Sequence, residues 1–106
     1  MGFRRIPKSD AEYLHFQKRL HERYGLAFSH KAHKEIVAHI NTGAAKFVRR
    51  DTTRVSIFSV PINVSPELLA LNANRQIAEG ECIVVAYDRQ RRQLITCGDV
   101  IAAGVP

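Results

Sequence analysis

The chain has no tryptophan, one methionine and only two cysteines among its 106 residues. Cys82 and Cys97 are too few for a disulfide framework and lack the paired spacing of a zinc site. They read as two buried cytoplasmic thiols. No stretch approaches the ~18 consecutive apolar residues of a membrane span. The first ten residues, MGFRRIPKSD, carry charge without the apolar core of a secretory signal. Ile6 stands where a myristoylation motif needs Ser or Thr. These absences predict a cytoplasmic protein. There is no internal repeat, no glycine-rich phosphate loop, no GxSxG nucleophile motif and no carboxylate pair spaced for acid-base work. Acidic residues are the scarce charge. Ten Asp and Glu stand against sixteen Lys and Arg, giving a formal net charge of +6 at pH 7. Such an excess attracts polyanions through steering and counterion release. It also suits an acidic protein partner, so charge alone does not choose between them.

What is present is an ordinary globular composition, 45% hydrophobic and 25% charged. It predicts a single domain over residues 1–106. The first half has helical periodicity. Ser9 or Asp10 can cap a helix whose apolar residues Tyr13, Phe16, Leu20 and Tyr24 share one face, with Gly25 as its stop. Ser29 can cap a second helix that turns Ala32, Ile36, Val37 and Ile40 inward and ends at Gly43. The second half changes to strand composition. "AKFVRR" (45–50) and "RVSIFSV" (54–60) flank the loop DTT, while "CIVVAYD" (82–88) and "QLITC" (93–97) flank the turn RQRR. The second pair is apolar on both faces, as central strands would be. Ser65 followed by Pro66 and Glu67 predicts a short helix to about Leu71 within a longer loop. The tail GDVIAAGVP is small and apolar, and predicts an added edge strand or a segment docked on the core. The expected fold is α+β: an N-terminal helical hairpin packed on a four-stranded antiparallel β-meander.

The residues that could carry chemistry are basic. His15, Arg19 and Arg23 recur at four-residue spacing and form one stripe bordering the apolar face of the first helix. An imidazole there can exchange a proton near neutral pH, and a guanidinium can clamp a phosphate with two hydrogen bonds. The plainer account is a solvated helix face, with Glu12, Lys18 and Glu22 as pairing partners. His21 lies on the other flank of the stripe, and His30, His33 and His39 belong to the second helix. No HxxxH pair shares an exposed face with an acidic third ligand, so no metal site is expected. Lys46, Arg49, Arg50 and Arg54 load one hairpin with positive charge, and Arg89, Arg91 and Arg92 load the other. They read either as charges blunting sheet edges or as a basic rim for a phosphate backbone. Tyr87 is the best strand aromatic for stacking a base, though a place in the core suits it better.

Four stretches, "HFQKRLHERYG", "INTGAAKFVRR", "RVSIFSV" and "CIVVAYDRQRRQLITC", together resemble the Barnase–EndoU–Colicin–RelE ribonuclease superfamily over residues 13–98. Small members place a helix bearing His and Arg before a four-stranded antiparallel sheet. The resemblance implies His15 as acid or base, Arg19 or Arg23 as phosphate binder, and Thr96 as an auxiliary hydrogen-bonding residue. It implies RNA cleavage through a cyclic phosphate without metal or cofactor. Two features depart from that pattern: the connection over 61–80 is long, and no second histidine lies on the sheet. The resulting expectation is a metal-independent endoribonuclease or RNA-binding domain of toxin or phage type, with RNA as its partner. The alternative is a non-enzymatic phage inhibitor that binds a host protein or nucleic acid through its basic face, with the 65–75 loop as a protein-binding surface. A DNA-binding regulator using the second helix is a third reading, without an evident helix-turn-helix pair.

Overall fold

The computed structural model describes residues 8–98. Its elements run α1 (Lys8–Tyr24), α2 (His30–Asn41), β1 (Lys46–Arg50), β2 (Val55–Pro61), a 3-10 turn (Ile62–Val64), α3 (Pro66–Leu71), β3 (Cys82–Asp88) and β4 (Gln93–Gly98). The strands form one sheet in the order β1-β2-β3-β4, with every neighbouring pair antiparallel. This is the α+β meander expected. The predicted role of the tail falls beyond Gly98, outside the described residues. Ser9 and Asp10, expected just before the first helix, lie inside α1, which already includes Lys8. Asp10 instead lies in the first turn, where a carboxylate meets the positive end of the helix dipole.

Among the described residues, one face of the sheet is covered by helices, and the other is not. Tyr13, Phe16 and Leu20 of α1 and Ala32, Ile36 and Ile40 of α2 are buried in one cluster with Val60, Ile83, Val85, Tyr87, Leu94 and Cys97. Each large side chain withdrawn from water this way contributes roughly 1.5–3 kcal/mol. Tyr24 and Val37 were expected in this core and are only partly buried against it. The opposite face makes a small cluster of strand residues alone, Ile57, Val84 and Ala86, flanked by Val48, Val55 and Ile95. Although β4 is apolar on both faces, among the described residues it is an edge strand and not a central one. Helix α1 runs alongside it, with Glu12 near Arg91 at one end and Tyr24 at Gly98 at the other. Its flank is covered by a helix where a central strand would have a neighbour. Gly25 lets α1 stop there: at φ +67 it donates to the His21 carbonyl at 2.9 Å, a left-handed position that disfavours other residues.

The long 61–80 connection is a buckle, not a loose loop. The Ser29 hydroxyl accepts from the Ala32 amide of its own helix and donates to the Glu67 carboxylate of α3. The Ser65 hydroxyl mirrors it, accepting from the Leu68 amide and donating to Glu35 of α2 at 2.6 Å. Asn72 then pairs with both backbone groups of Ala27, accepting at 2.7 Å and donating at 3.0 Å. Arg75 donates to the Tyr24 carbonyl and grips Glu81 with two hydrogen bonds. The whole corner between α1 and α2 is therefore held from α3 and the segment that follows.

Removing the Ser65 hydroxyl should be expensive for so small a group. Ser65→Ala takes the cap from α3 and one donor from Glu35, and should lower unfolding stability by about 1–2 kcal/mol in a denaturant titration. The Ser65 hydroxyl, then the Glu67 amide, hold the Glu35 carboxyl below the usual carboxylate range. A depressed carboxylate contributes stability above its unfolded pKa and loses it as pH falls through the folded value. The Ser65→Ala variant should therefore lose less stability on acidification than wild type.

A second acid-sensitive link joins α2 to β4, where the Leu94 amide donates to Nε2 of His33 at 3.2 Å. Burial, and then the charge of His30, hold the His33 pKa below its usual value of 6.5. Stability from the neutral ring is complete above that usual value and lost as pH falls through the depressed one. Thermal midpoints should drop from pH 7 to 5 in wild type. They should drop less in His33→Gln, whose amide oxygen can accept the same bond without titrating.

Candidate nucleic-acid interface

Strict alternation along β1 and β4 would send Arg49 and Thr96 to the helix side. Two β-bulges reverse this. In β1 the pairing steps from Phe47↔Phe58 to Arg49↔Ile57, leaving Val48 as the extra residue. In β4 it steps from Ala86↔Thr96 to Tyr87↔Leu94, leaving Ile95 extra. A bulge flips the phase of the residues beyond it and re-aims their side chains. The result is one row across the open face: Arg49, Ile57, Ala86, Thr96. At the usual spacing between neighbouring strands its ends lie roughly 14 Å apart.

That row floors a cleft of about 250 Å³. Its other wall residues include Arg23 from the end of α1, Asp51 from the β1–β2 loop, and Val84 and Gly98 from the next row. The floor is aliphatic and the rim is guanidinium and hydroxyl. Asp51 sits 3.2 Å from Arg49 in an exposed ion pair. Such a pair is weak, so an incoming anion can replace the carboxylate on the guanidinium. Lys46 pairs with Ser59, and Ser59 with Val84, so Lys46 shares the open face.

The structure separates the other expected residues. Arg19 and Arg23 both lie beside β4, close enough for their charges to act on the Cys97 thiol. Arg19 also pairs with Glu22 at 3.1 Å. His15 is exposed, two turns before Arg23 and therefore ~12 Å from it along the helix. Arg50 pairs with Ser56, and Ser56 with Tyr87, which puts Arg50 on the helix side. Tyr87 is a core residue whose hydroxyl donates to Asn41 at 2.8 Å. Among the described residues, no three His, Cys, Asp or Glu side chains gather into a group that could hold a metal ion.

Most of the hairpin arginines hold the fold. Asp88 is fully buried at the end of β3, where its Oδ1 accepts from the Gln90 and Arg91 amides and so shapes the turn. Its Oδ2 has no hydrogen bond, and Arg54 supplies charge from 3.4 Å away. Burial pushes the Asp88 carboxyl up, but the two amides and the charges of Arg54 and Arg91 together prevail and hold it low. Arg54 also reaches Gln90, and Arg89 donates to the Thr53 carbonyl, so the two hairpin loops are tied together. Arg91 pairs with Glu12 at 2.7 Å and joins α1 to the turn. Arg92 takes the left-handed position of that turn at φ 52. The expected single rim of seven cations thus divides, with Lys46 and Arg49 on the open face and Arg54, Arg89 and Arg91 in structural contacts.

Comparison with known protein families, curated proteins and solved structures returned no match.

The two thiols give a direct check on the cleft wall. Burial pushes Cys97 up to about 12, against the smaller opposing effect of Arg23 and Arg19, while Cys82 is exposed. A thiol-specific reagent at pH 7.5 should modify one cysteine per folded chain, Cys82. Cys97 should react only when the chain unfolds, because the thiolate is the reactive form.

Proposed function

We propose that this protein is a small RNA-binding domain of the Barnase–EndoU–Colicin–RelE type, which takes single-stranded RNA across the open face of its sheet. The observation that carries the reading is the bulge-made row of Arg49, Ile57, Ala86 and Thr96, closed at one end by Arg23. Guanidinium groups at both ends suit successive phosphates, and the Thr96 hydroxyl suits a sugar or phosphate oxygen. The aliphatic floor between them can cover a sugar or base face. It contains no aromatic ring, so it favours recognition with little base preference.

The geometry supports binding over cleavage at the phosphate that Arg23 would hold. An acid or base must come within hydrogen-bond reach of the atom it serves. His15 lies ~12 Å away along α1. A second reading draws on Leu69 and Leu71 of α3, which are 37% and 40% exposed. They would give a protein partner an apolar contact, as in the non-enzymatic inhibitor.

Fluorescence anisotropy with a labelled single-stranded RNA, repeated over a salt series, separates these readings. Arg23→Ala and Arg49→Ala should each weaken binding. Each should also flatten the slope of log affinity against log salt, by about 0.7 for every phosphate the variant no longer neutralises. Arg91→Ala should lower stability by stranding Glu12, yet leave the slope unchanged. Unaltered RNA affinity in the Arg23→Ala, Arg49→Ala double variant would remove the RNA reading and leave the leucine surface.

A further inference from the structure

Phe47 is 56% exposed, more than any other large apolar side chain among the described residues. It stands at the outer end of a row of rings that begins in the core. Tyr87 is buried and meets Phe58 edge-on, with centroids 6.2 Å apart, and Phe58 meets Phe47 in the same way at 5.9 Å. Such edge-to-face contacts are favourable beyond the area they bury, so they hold the outermost ring in place. Phe47 is thus a positioned aromatic surface that still faces water.

Its neighbours on β1 are cations, three of the five residues of that strand. The Val48 bulge distributes them over both faces of the sheet. Lys46 and Arg49 lie on the open face, while Phe47 and Arg50 lie on the helix side. At the usual strand rise Phe47 and Arg50 are roughly 10 Å apart. Among the described residues no ion pair holds Lys46 or Arg50, and β1 is an outer strand. Only the strand's own edge separates the two faces.

Charge decides what such a ring is for. A second copy of this chain pairing β1 with β1 would set cation against cation: in the antiparallel register centred on Val48, Lys46 meets Arg50. A neutral apolar peptide would leave all three charges unmatched. A single-stranded polynucleotide answers both features, because its phosphates match the cations and its bases present flat faces to a ring.

We infer that Phe47 is the base-stacking residue of this protein: the RNA strand that crosses the open face at Arg49 turns over the β1 edge, stacks a base on Phe47 and sets a phosphate on Arg50. This rests on the RNA reading above and extends it to the other face of the sheet. It supplies a contact to a base that the aliphatic cleft floor lacks.

Anisotropy with a labelled single-stranded RNA 12-mer over a salt series tests the stack. Phe47→Leu keeps an apolar side chain against Phe58 but loses the flat aromatic face. It should weaken binding about tenfold or more, the scale of one lost base stack, and leave the salt slope unchanged because no phosphate is released. Arg50→Ala should weaken binding and flatten the slope by about 0.7. Phe47→Trp, which restores a stacking ring, should bind at least as well as wild type. An abasic 12-mer, with phosphates and no bases, should bind wild type about tenfold more weakly than the RNA and should not distinguish wild type from Phe47→Leu.

Wild-type affinity in Phe47→Leu, with Arg49→Ala still weakened, would overturn the stack and leave the RNA reading standing. Equal affinity of wild type for the RNA and the abasic strand would overturn it as well, even if Phe47→Leu failed to fold. No RNA binding by wild type would overturn both. Sedimentation without RNA should give a monomer, and a dimer that Phe47→Leu abolishes would assign the ring to a second copy instead.

Discussion

Two serine hydroxyls hold the corner on which the rest of the structure depends. Ser29 and Ser65 each cap their own helix and donate to a glutamate of the other, Ser29 to Glu67 and Ser65 to Glu35. A hydroxyl offers one proton and two lone pairs, so a single buried oxygen can serve both tasks. The exchange fixes α3 against α2, and Asn72 then holds the Ala27 backbone between α1 and α2. That settles the direction from which α1 runs along β4. With α1 settled, its last turn brings Arg23 to the cleft wall and the Tyr24 hydroxyl to the Val84 amide. Loss of this corner would therefore be felt at the open face, on the far side of the sheet.

The open face is a product of register more than of composition. Val48 and Ile95 are single extra residues in β1 and β4, the two outer strands of the sheet. Each bulge moves one polar side chain, Arg49 or Thr96, across the sheet and leaves an aliphatic residue beside it in the small cluster around Ile57, Val84 and Ala86. Bulges also blunt edge strands against pairing with other chains. The same irregularity thus protects the edge and loads the face.

The elements were legible because their signals are local. Ser29, Ser65 and Pro66 mark helix starts, Gly25 a helix end, and the apolar spacing of Phe16 and Leu20 the buried stripe. The strand runs fell within one or two residues of their observed limits. The face of Arg49 and Thr96 was not legible, because alternation assumes a constant phase and nothing in "KFVRR" or "QLITC" announces an extra residue. Nor could the 61–80 connection be read as a buckle. Asn72 acts through a contact 45 residues away in sequence, and no local pattern records it. The one-sided His15, Arg19, Arg23 stripe was visible, yet its axial spread decides its use, and spread matters only beside a site of known size.

Net charge misleads in this chain for a physical reason. An arginine close to a buried carboxylate cannot be surrendered cheaply to a ligand, because Asp88 has left water and Arg54 provides much of its compensation. Arg91 is bound to Glu12 in the same way, and Arg89 to a loop carbonyl. Those cations contribute to the field around the protein and so to the capture of a polyanion at long range. The exposed Arg49–Asp51 pair differs, since water already screens it and little is lost when a phosphate takes the place of the carboxylate. Burial of the partner, more than the number of arginines, therefore sorts the basic residues into those that hold the fold and those that can hold a ligand. By that measure the interface is Arg49 and its row, not the hairpin loops where the charge is densest.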